Sequence, residues 1–193
     1  MTSLQLDPKL TALVLIDLQQ GIVGRTLAPH SATDVVSLAA RLAAALRAKG
    51  GTVVYVRVDM ADVLSLPVDA PSRDPNAPAP PASACELVPE SGHQAGDLMV
   101  TKRQWGAFYG TALDQQLRRR RIRSIIMGGI ATNFGVESTA RAAFDRGYEL
   151  IFAEDAMSSV KTEVHNFAVE NIFPRMGRVR TVEQLLEALA ATA

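Results

Sequence analysis

An α/β fold with a mainly parallel sheet and helices on both faces follows from three features of the sequence. Apolar or β-branched runs of strand length alternate with segments of helical periodicity along most of the chain. The first run, 11–16, is apolar throughout, as in strands buried on both faces. Glycines stand where helices should stop, at Gly50, Gly51 and Gly147. With 193 residues the chain has the size of a single domain, 1–193, with a substantial core.

The elements follow in order. Thr11 to Ile16 reads as the first strand. Between Ser31 and Lys49, apolar residues recur at Val35, Leu38, Ala39, Leu42, Ala43 and Leu46, and Ser31 and Asp34 are spaced as in a capping box. That segment is an amphipathic helix. Thr52 to Val58, β-branched and aromatic, is the second strand and completes a βαβ unit. From Ala61 to Asp97 the pattern dissolves, and seven of the ten prolines fall there, which excludes a central strand or regular helix for most of it. Excursions of this length tend to be lids, binding loops or subunit contacts. Leu98 to Thr101 is then a short strand, Thr111 to Arg120 a helix and Ile122 to Met127 a buried strand. Asn133 to Arg146 is a helix ended by Gly147, and Glu149 to Ala153 is a strand. Val164 to Ile172 and Val182 to Leu189 are the last helices, with Arg178 to Arg180 a short strand between them. Such alternation implies parallel strands joined by crossover helices.

Twenty basic and twenty acidic side chains cancel, so no long-range field argues for nucleic acid or an anionic membrane surface as partner. A small-molecule substrate and further copies of the chain are the expected partners. A dimer or larger homo-oligomer is expected because the Pro-rich excursion and the aromatics Trp105, Phe108 and Tyr109 offer contact surface. The lone Cys85 cannot form an intrachain disulfide, and the N-terminus lacks a secretory signal, so a cytoplasmic location is expected. Leu10 to Ile16 is far too short to span a bilayer, so no membrane segment is expected.

Ligands of open α/β sheets bind at the carboxyl ends of the strands. Asp17 ends the first strand and is a candidate acid or base; taken alone it reads better as a helix cap or turn residue facing water. Lys102 follows Thr101 at the end of another strand and, taken alone, reads as a solvated cation. Together they can meet across the sheet's edge and alter each other's protonation. Gly128 and Gly129 lead through Ile130 and Ala131 into the next helix, either as a cradle of backbone N–H groups for an oxyanion or as a simple turn. No GxGxxG is present, so no dinucleotide cofactor is expected. His30, His93 and His165 are scattered, and their spacing offers no metal site. The run Arg118 to Arg121 with Arg123 reads as a solvated helix C-terminus. Trp105, Phe108 and Tyr109 are site wall or subunit contact, with core packing an equal alternative for Phe108. Asp155 is expected to cap or brace the loop after its strand, and Cys85 to be an incidental thiol.

The segments Leu13 to Gln20 (LVLIDLQQ), Thr101 to Tyr109 (TKRQWGAFY), Gly128 to Ala140 (GGIATNFGVESTA) and Glu154 to Ser158 (EDAMS) occur in the order and spacing of the isochorismatase-like hydrolases, which the chain resembles over nearly its whole length. The resemblance implies a Rossmann-like, six-stranded, mainly parallel sheet with its site at the strands' carboxyl ends. It aligns Asp17 with the family's general base or acid and Lys102 with the assisting Lys. The position of the nucleophilic cysteine of amidase members falls on Gly135, between Phe134 and Val136, so a covalent acyl-enzyme route is not expected there. The metal-ligand pattern of nicotinamidases is missing, because Asp59 is followed by Met60, Ala61 and Asp62 with no nearby histidine. Isochorismatases that cleave an enolpyruvyl ether also carry glycine at this position, and their chemistry requires a proton donor and water. Ile130 to Ala131 aligns with a non-proline cis peptide of the family.

The catalytic set so identified is Asp17, Lys102 and Gly135, with Ile130, Ala131, Phe134, Trp105 and Phe108 in contact with substrate and no metal or other cofactor. Lys102 should lower the pKa of Asp17, which opposes an acid role unless burial compensates. The first functional reading is a hydrolase of a small carboxylated ether acting without covalent catalysis. A small-molecule binding protein that has lost turnover is the alternative, and amide hydrolysis through another nucleophile comes third.

Overall fold

The computed structural model describes residues 4–64, 66–71, 74 and 77–192. Its first strand, β1 (Thr11–Ile16), is buried at every position, as its uninterrupted apolar sequence requires. Helix α1 (Gln20–Val23) is a single short turn, and α2 (Ala32–Ala48) begins at Ser31, whose side chain accepts the Asp34 N–H. The remaining strands are β2 (Thr52–Val58), β3 (Leu98–Lys102), β4 (Ser124–Ile130), β5 (Glu149–Ser158) and β6 (Gly177–Arg180). The remaining helices are α3 (Leu113–Arg119), α4 (Glu137–Asp145), α5 (Thr162–Phe167) and α6 (Val182–Ala190).

All strand pairings are parallel, in the order β3-β2-β1-β4-β5-β6. The order reverses between β1 and β4, which makes the crevice beyond their carboxyl ends the natural ligand site of such a sheet. Successive β1 side chains serve opposite faces. Leu13 and Leu15 join α2 and α6 in one core through Val35, Ala39, Leu42, Leu46, Val182, Leu185 and Leu189. Ala12, Val14 and Ile16 join α3 and α4 in the other, through Leu113, Leu117, Ala140 and Ala143. No helix among the described residues is long and apolar enough to cross a membrane.

Several boundaries differ from the sequence reading. β4 runs on to Ile130, so Gly128 and Gly129 lie inside the strand instead of forming a turn after it. They permit close approach to β1: a Cβ on Gly129, whose φ is +111°, would lie 2.1 Å from the Ile16 carbonyl oxygen. β5 continues to Ser158 through Glu154 and Asp155, and Asp155 accepts the Val182 N–H at 2.7 Å. It therefore lies within a strand and caps the start of α6. The helix expected from Thr111 starts at Leu113, because the Thr111 hydroxyl accepts the Leu113 N–H. The segments expected as continuous helices from Asn133 and Val164 are each divided: a wide π-type turn, Thr132–Val136, precedes α4, and another, Ala168–Ile172, follows α5. In the excursion, the described residues form 3₁₀ turns at Ala82–Cys85 and Pro89–Ser91 and otherwise irregular chain.

Candidate active site

Asp17 is the first residue beyond β1 and adopts a left-handed backbone, φ +53°, which Asp tolerates better than most non-glycine residues. Its N–H donates to the Val56 carbonyl at 2.8 Å, which anchors it at the end of β2. Lys102 ends β3, on the far side of β2, and only a long side chain can cross that strand end. Its Nζ donates to Asp17 Oδ2 at 2.8 Å, and both residues are almost entirely buried, Asp17 at 5% and Lys102 at 2% exposure. The opposite charges expected to meet at the sheet's edge do so.

Gly135 brings its backbone against this pair from the turn Thr132–Val136. A Cβ at residue 135 would lie 3.3 Å from Asp17 Oδ2, 3.5 Å from Lys102 Nζ and 2.8 Å from Ile16 Cγ2. Any larger side chain there has to displace a core residue. Thr139, one helical turn on, holds the glycine in place: its hydroxyl donates to the Gly135 carbonyl at 2.7 Å and accepts the Ala107 N–H at 3.0 Å.

Burial and Lys102 act on Asp17 in opposite directions. Removal of the carboxylate from water raises its pKa, Lys102 lowers it by charge attraction and hydrogen bonding, and burial prevails, pushing the carboxyl from its ordinary 3.8 up to about 6. The compensation that an acid role requires is therefore present. Lys102 occupies Oδ2, while Oδ1 is buried and has no hydrogen-bond partner among the described residues. An unpaired buried carboxyl oxygen is costly, and a proton on it makes the group neutral and a donor.

The other expected contact residues separate into two groups. Ile130 and Ala131 are joined by a cis peptide bond, as the resemblance implies, and the Ala131 carbonyl accepts N–H groups from Phe134 and Val136. The Ile130 side chain belongs to the α2–α6 core. Phe108 is a correction: it is buried in the opposite core beside Tyr148 and is a packing residue, not a wall. Trp105 and Phe134 are exposed and meet edge to face, with centroids 4.9 Å apart, beside Gly135 in the chain. The Asp17, Lys102 and Gly135 groups converge as expected, but in a closed site. A cavity of about 320 Å³ lies elsewhere, lined by Leu98, Thr101, Thr111 and Gln116 among others, and shares none of the three residues.

Sequence reasoning missed Gln19, which is fully buried. Its amide donates to the carbonyls of Val58 and Ala84 and accepts the Val58 N–H, tying the end of β2 to the turn Ala82–Cys85. A polar residue two places after Asp17 in an apolar setting was the available signal. The Cys85 thiol accepts the Met60 N–H at 3.3 Å. A second polar group forms around Glu154 in β5, where the fold unites histidines that are scattered in sequence. Glu154 Oε1 lies 2.8 Å from His30 Nε2 and 3.2 Å from His165 Nε2. Hydrogen bonds to His165 and His30 hold Glu154 well below the ordinary carboxylate range, at about 2, against an opposing burial effect. His93 lies apart, edge-on to Tyr55. Arg118 and Arg119 lie in the last turn of α3, where positive charge is favourable, and Arg118 stacks over Tyr148.

Comparison with known proteins places this geometry in a family context. A sequence model of the Isochorismatase domain matches residues 11–184. The uncharacterized isochorismatase family protein YecD of Escherichia coli O157:H7 is 49% identical over 190 residues, covering 96% of this chain and 100% of that protein. The corresponding protein YwoC of Bacillus subtilis (strain 168) is 48% identical, covering 97% and 98%. Among solved structures, an isochorismatase family protein from Burkholderia thailandensis superposes with a TM-score of 0.89 at 42% identity, covering 97% of this chain and 98% of that one. N-carbamoylsarcosine amidase from Thermoplasma acidophilum gives 0.72 at 25% identity, covering 90% and 96%.

Proposed function

The chain belongs to the isochorismatase family of hydrolases, and on that premise we propose that it hydrolyses a small carboxylated enol ether by proton transfer from Asp17, without a covalent intermediate. The observation that carries this reading is the carboxyl of Asp17, held near neutrality by burial, with one oxygen unpartnered and a glycine backbone beside it. The neutral acid gives its proton to the terminal vinyl carbon, and the ether carbon becomes an oxocarbenium ion. Water adds there and returns a proton to the Asp17 carboxylate. The hemiketal then breaks its bond to the alcohol oxygen, which takes up the hydroxyl proton, releasing a 2-keto acid and an alcohol. Lys102 stabilises the Asp17 carboxylate between the two transfers and has further N–H donors to offer a substrate carboxylate.

Amide hydrolysis, named for the Thermoplasma relative, is disfavoured because acyl transfer by covalent catalysis requires a nucleophile beside Asp17, where residue 135 has no side chain. The proposal extends to self-association through the face bearing Trp105, Tyr109 and Phe134, which are 55%, 76% and 37% exposed, and to a cytoplasmic setting for the reaction. It is tested by assaying a panel of enolpyruvyl ethers for keto-acid release. Turnover by the wild-type protein and its loss by about 10²- to 10⁴-fold in Asp17→Asn is the expected outcome. Retention of full turnover by Asp17→Asn would remove Asp17 from the mechanism.

A further inference from the structure

The group formed by His30, Glu154 and His165 lies outside the Asp17 site, and the proposed hydrolysis does not use it. Each of its members comes from a different part of the fold: His30 from the segment before α2, Glu154 from β5 and His165 from α5. The two rings meet edge-on, 5.4 Å apart at 81°, and both direct Nε2 at the same oxygen, Glu154 Oε1. The three donor atoms lie within 4.8 Å of one another.

We propose that His30 Nε2, His165 Nε2 and Glu154 Oε1 bind a divalent transition metal ion of the zinc type, with at least one coordination position left open. Two imidazoles and one carboxylate are a favoured donor set for Zn²⁺. Bonds of about 2.0–2.2 Å in a tetrahedral arrangement separate neighbouring donor atoms by roughly 3.3 Å. The observed 2.8 and 3.2 Å separations from Glu154 lie close to that value, and the two imidazole nitrogens lie within 4.8 Å of each other.

The surroundings fit a metal site as well as the donors do. His165 is 1% exposed, while the His30 and Glu154 side chains are 28% and 26% exposed, so one side of the group faces solvent and gives an entry path. The far nitrogen of His165, Nδ1, lies 2.8 Å from the Thr132 hydroxyl. That contact orients the ring and leaves Nε2 for the ion, as metal-ligating histidines generally require. With an ion on Nε2, the ring would carry its hydrogen on Nδ1 and donate it to the Thr132 oxygen. Thr132 opens the turn that carries Gly135, so occupancy fixes the turn against which Asp17 works.

The experiment uses zinc chloride and the full-length protein after chelator treatment and dialysis. Calorimetric titration and metal analysis of the dialysed complex should give one zinc per chain, with a rise in melting temperature, whereas magnesium chloride should give neither. His30→Gln and Glu154→Gln, both at partly exposed positions, should each weaken zinc binding by more than about 100-fold, and Thr132→Val by about 10- to 100-fold. His93→Gln should bind as the wild type does. Absence of stoichiometric zinc in the wild-type protein overturns the proposal, as does wild-type affinity in a folded His30→Gln or Glu154→Gln variant. Circular dichroism of each variant identifies any loss that comes from unfolding, and a result from any one folded ligand variant suffices. Metal binding is read without turnover, so this inference and the enol-ether reading fail separately.

Discussion

If burial, and not Lys102, governs Asp17, the protonation of this one carboxyl should be visible in the stability of the whole protein. In the unfolded chain Asp17 ionises around 3.8, and in the folded protein around 6. Below 3.8 it is neutral in both states and contributes its full share of stability. As pH rises toward 6 the unfolded state gives up its proton first, so the unfolded state is favoured and the contribution is lost. The raised value corresponds to about 3 kcal/mol lost across this window, at about 1.4 kcal/mol per pKa unit. Asp17→Asn is neutral at every pH and close in shape to the protonated acid. Its offset from wild type at low pH includes its altered contact with Lys102, and the dependence of that offset on pH is the informative quantity. Urea unfolding of both proteins from pH 3.5 to 7.5 should show wild type losing about 3 kcal/mol relative to Asp17→Asn, with most of the change between about pH 4 and 6. Differencing the two curves removes groups common to both, including Glu154, whose lowered pKa acts in the opposite sense. A flat difference would mean that Asp17 keeps its ordinary pKa. A difference rising in favour of wild type would mean that Lys102 prevails, and either result refutes the neutral-acid argument.

Gly135→Ala should destabilise the fold by roughly 1–2 kcal/mol in the same assay: the 2.8 Å approach to Ile16 Cγ2 outweighs the better helix propensity of alanine. Its keto-acid release should also fall at least tenfold, because the added methyl group enters the space beside Asp17 and Lys102. Cys85→Ser should leave turnover within about twofold of wild type, and thiol alkylation should be harmless, since the proposed chemistry uses no sulfur nucleophile. Inactivation by alkylation that Cys85→Ser abolishes would implicate the thiol.

The bounds of β1 and β2 were legible because β1 is apolar or β-branched end to end and β2 is β-branched and aromatic apart from Arg57, and the strand-end position of Asp17 followed directly. β4 was read too short because a strand is recognised by its side chains, and Gly128 and Gly129 have none. The reason for those glycines, the carbonyl of Ile16 pressed against them, is a contact between distant segments. β5 was read too short for the opposite reason. Glu154 and Asp155 interrupt its apolar run, yet both stay in the strand because the histidines and the start of α6 receive them. Phe108 left packing and binding equally open in the sequence, and only the neighbouring Tyr148 and the α3–α4 core decide for packing. No local spacing relates His30 to His165; the path of the chain around the end of the sheet brings them together.

The pairing of a proton donor with a lysine is less contradictory than charge counting suggests. Attraction to Lys102 alone would keep Asp17 ionised at any working pH, leaving no proton to deliver. Burial alone would leave a neutral acid whose conjugate base is too poorly stabilised to release the proton readily. Opposed, the two effects bring the carboxyl to about 6, near the pH range where a group can hold a proton and also surrender it. The geometry divides the labour between the two oxygens: Oδ2 takes the Lys102 hydrogen bond, and the unpartnered Oδ1 is the atom that can carry the proton. A Cβ at residue 135 would lie 3.3 Å from Oδ2 and 2.8 Å from Ile16 Cγ2, so only glycine lets the backbone close against the acid without displacing a neighbour. Under the proposed mechanism, glycine at residue 135 suits a chemistry that needs no side-chain nucleophile there.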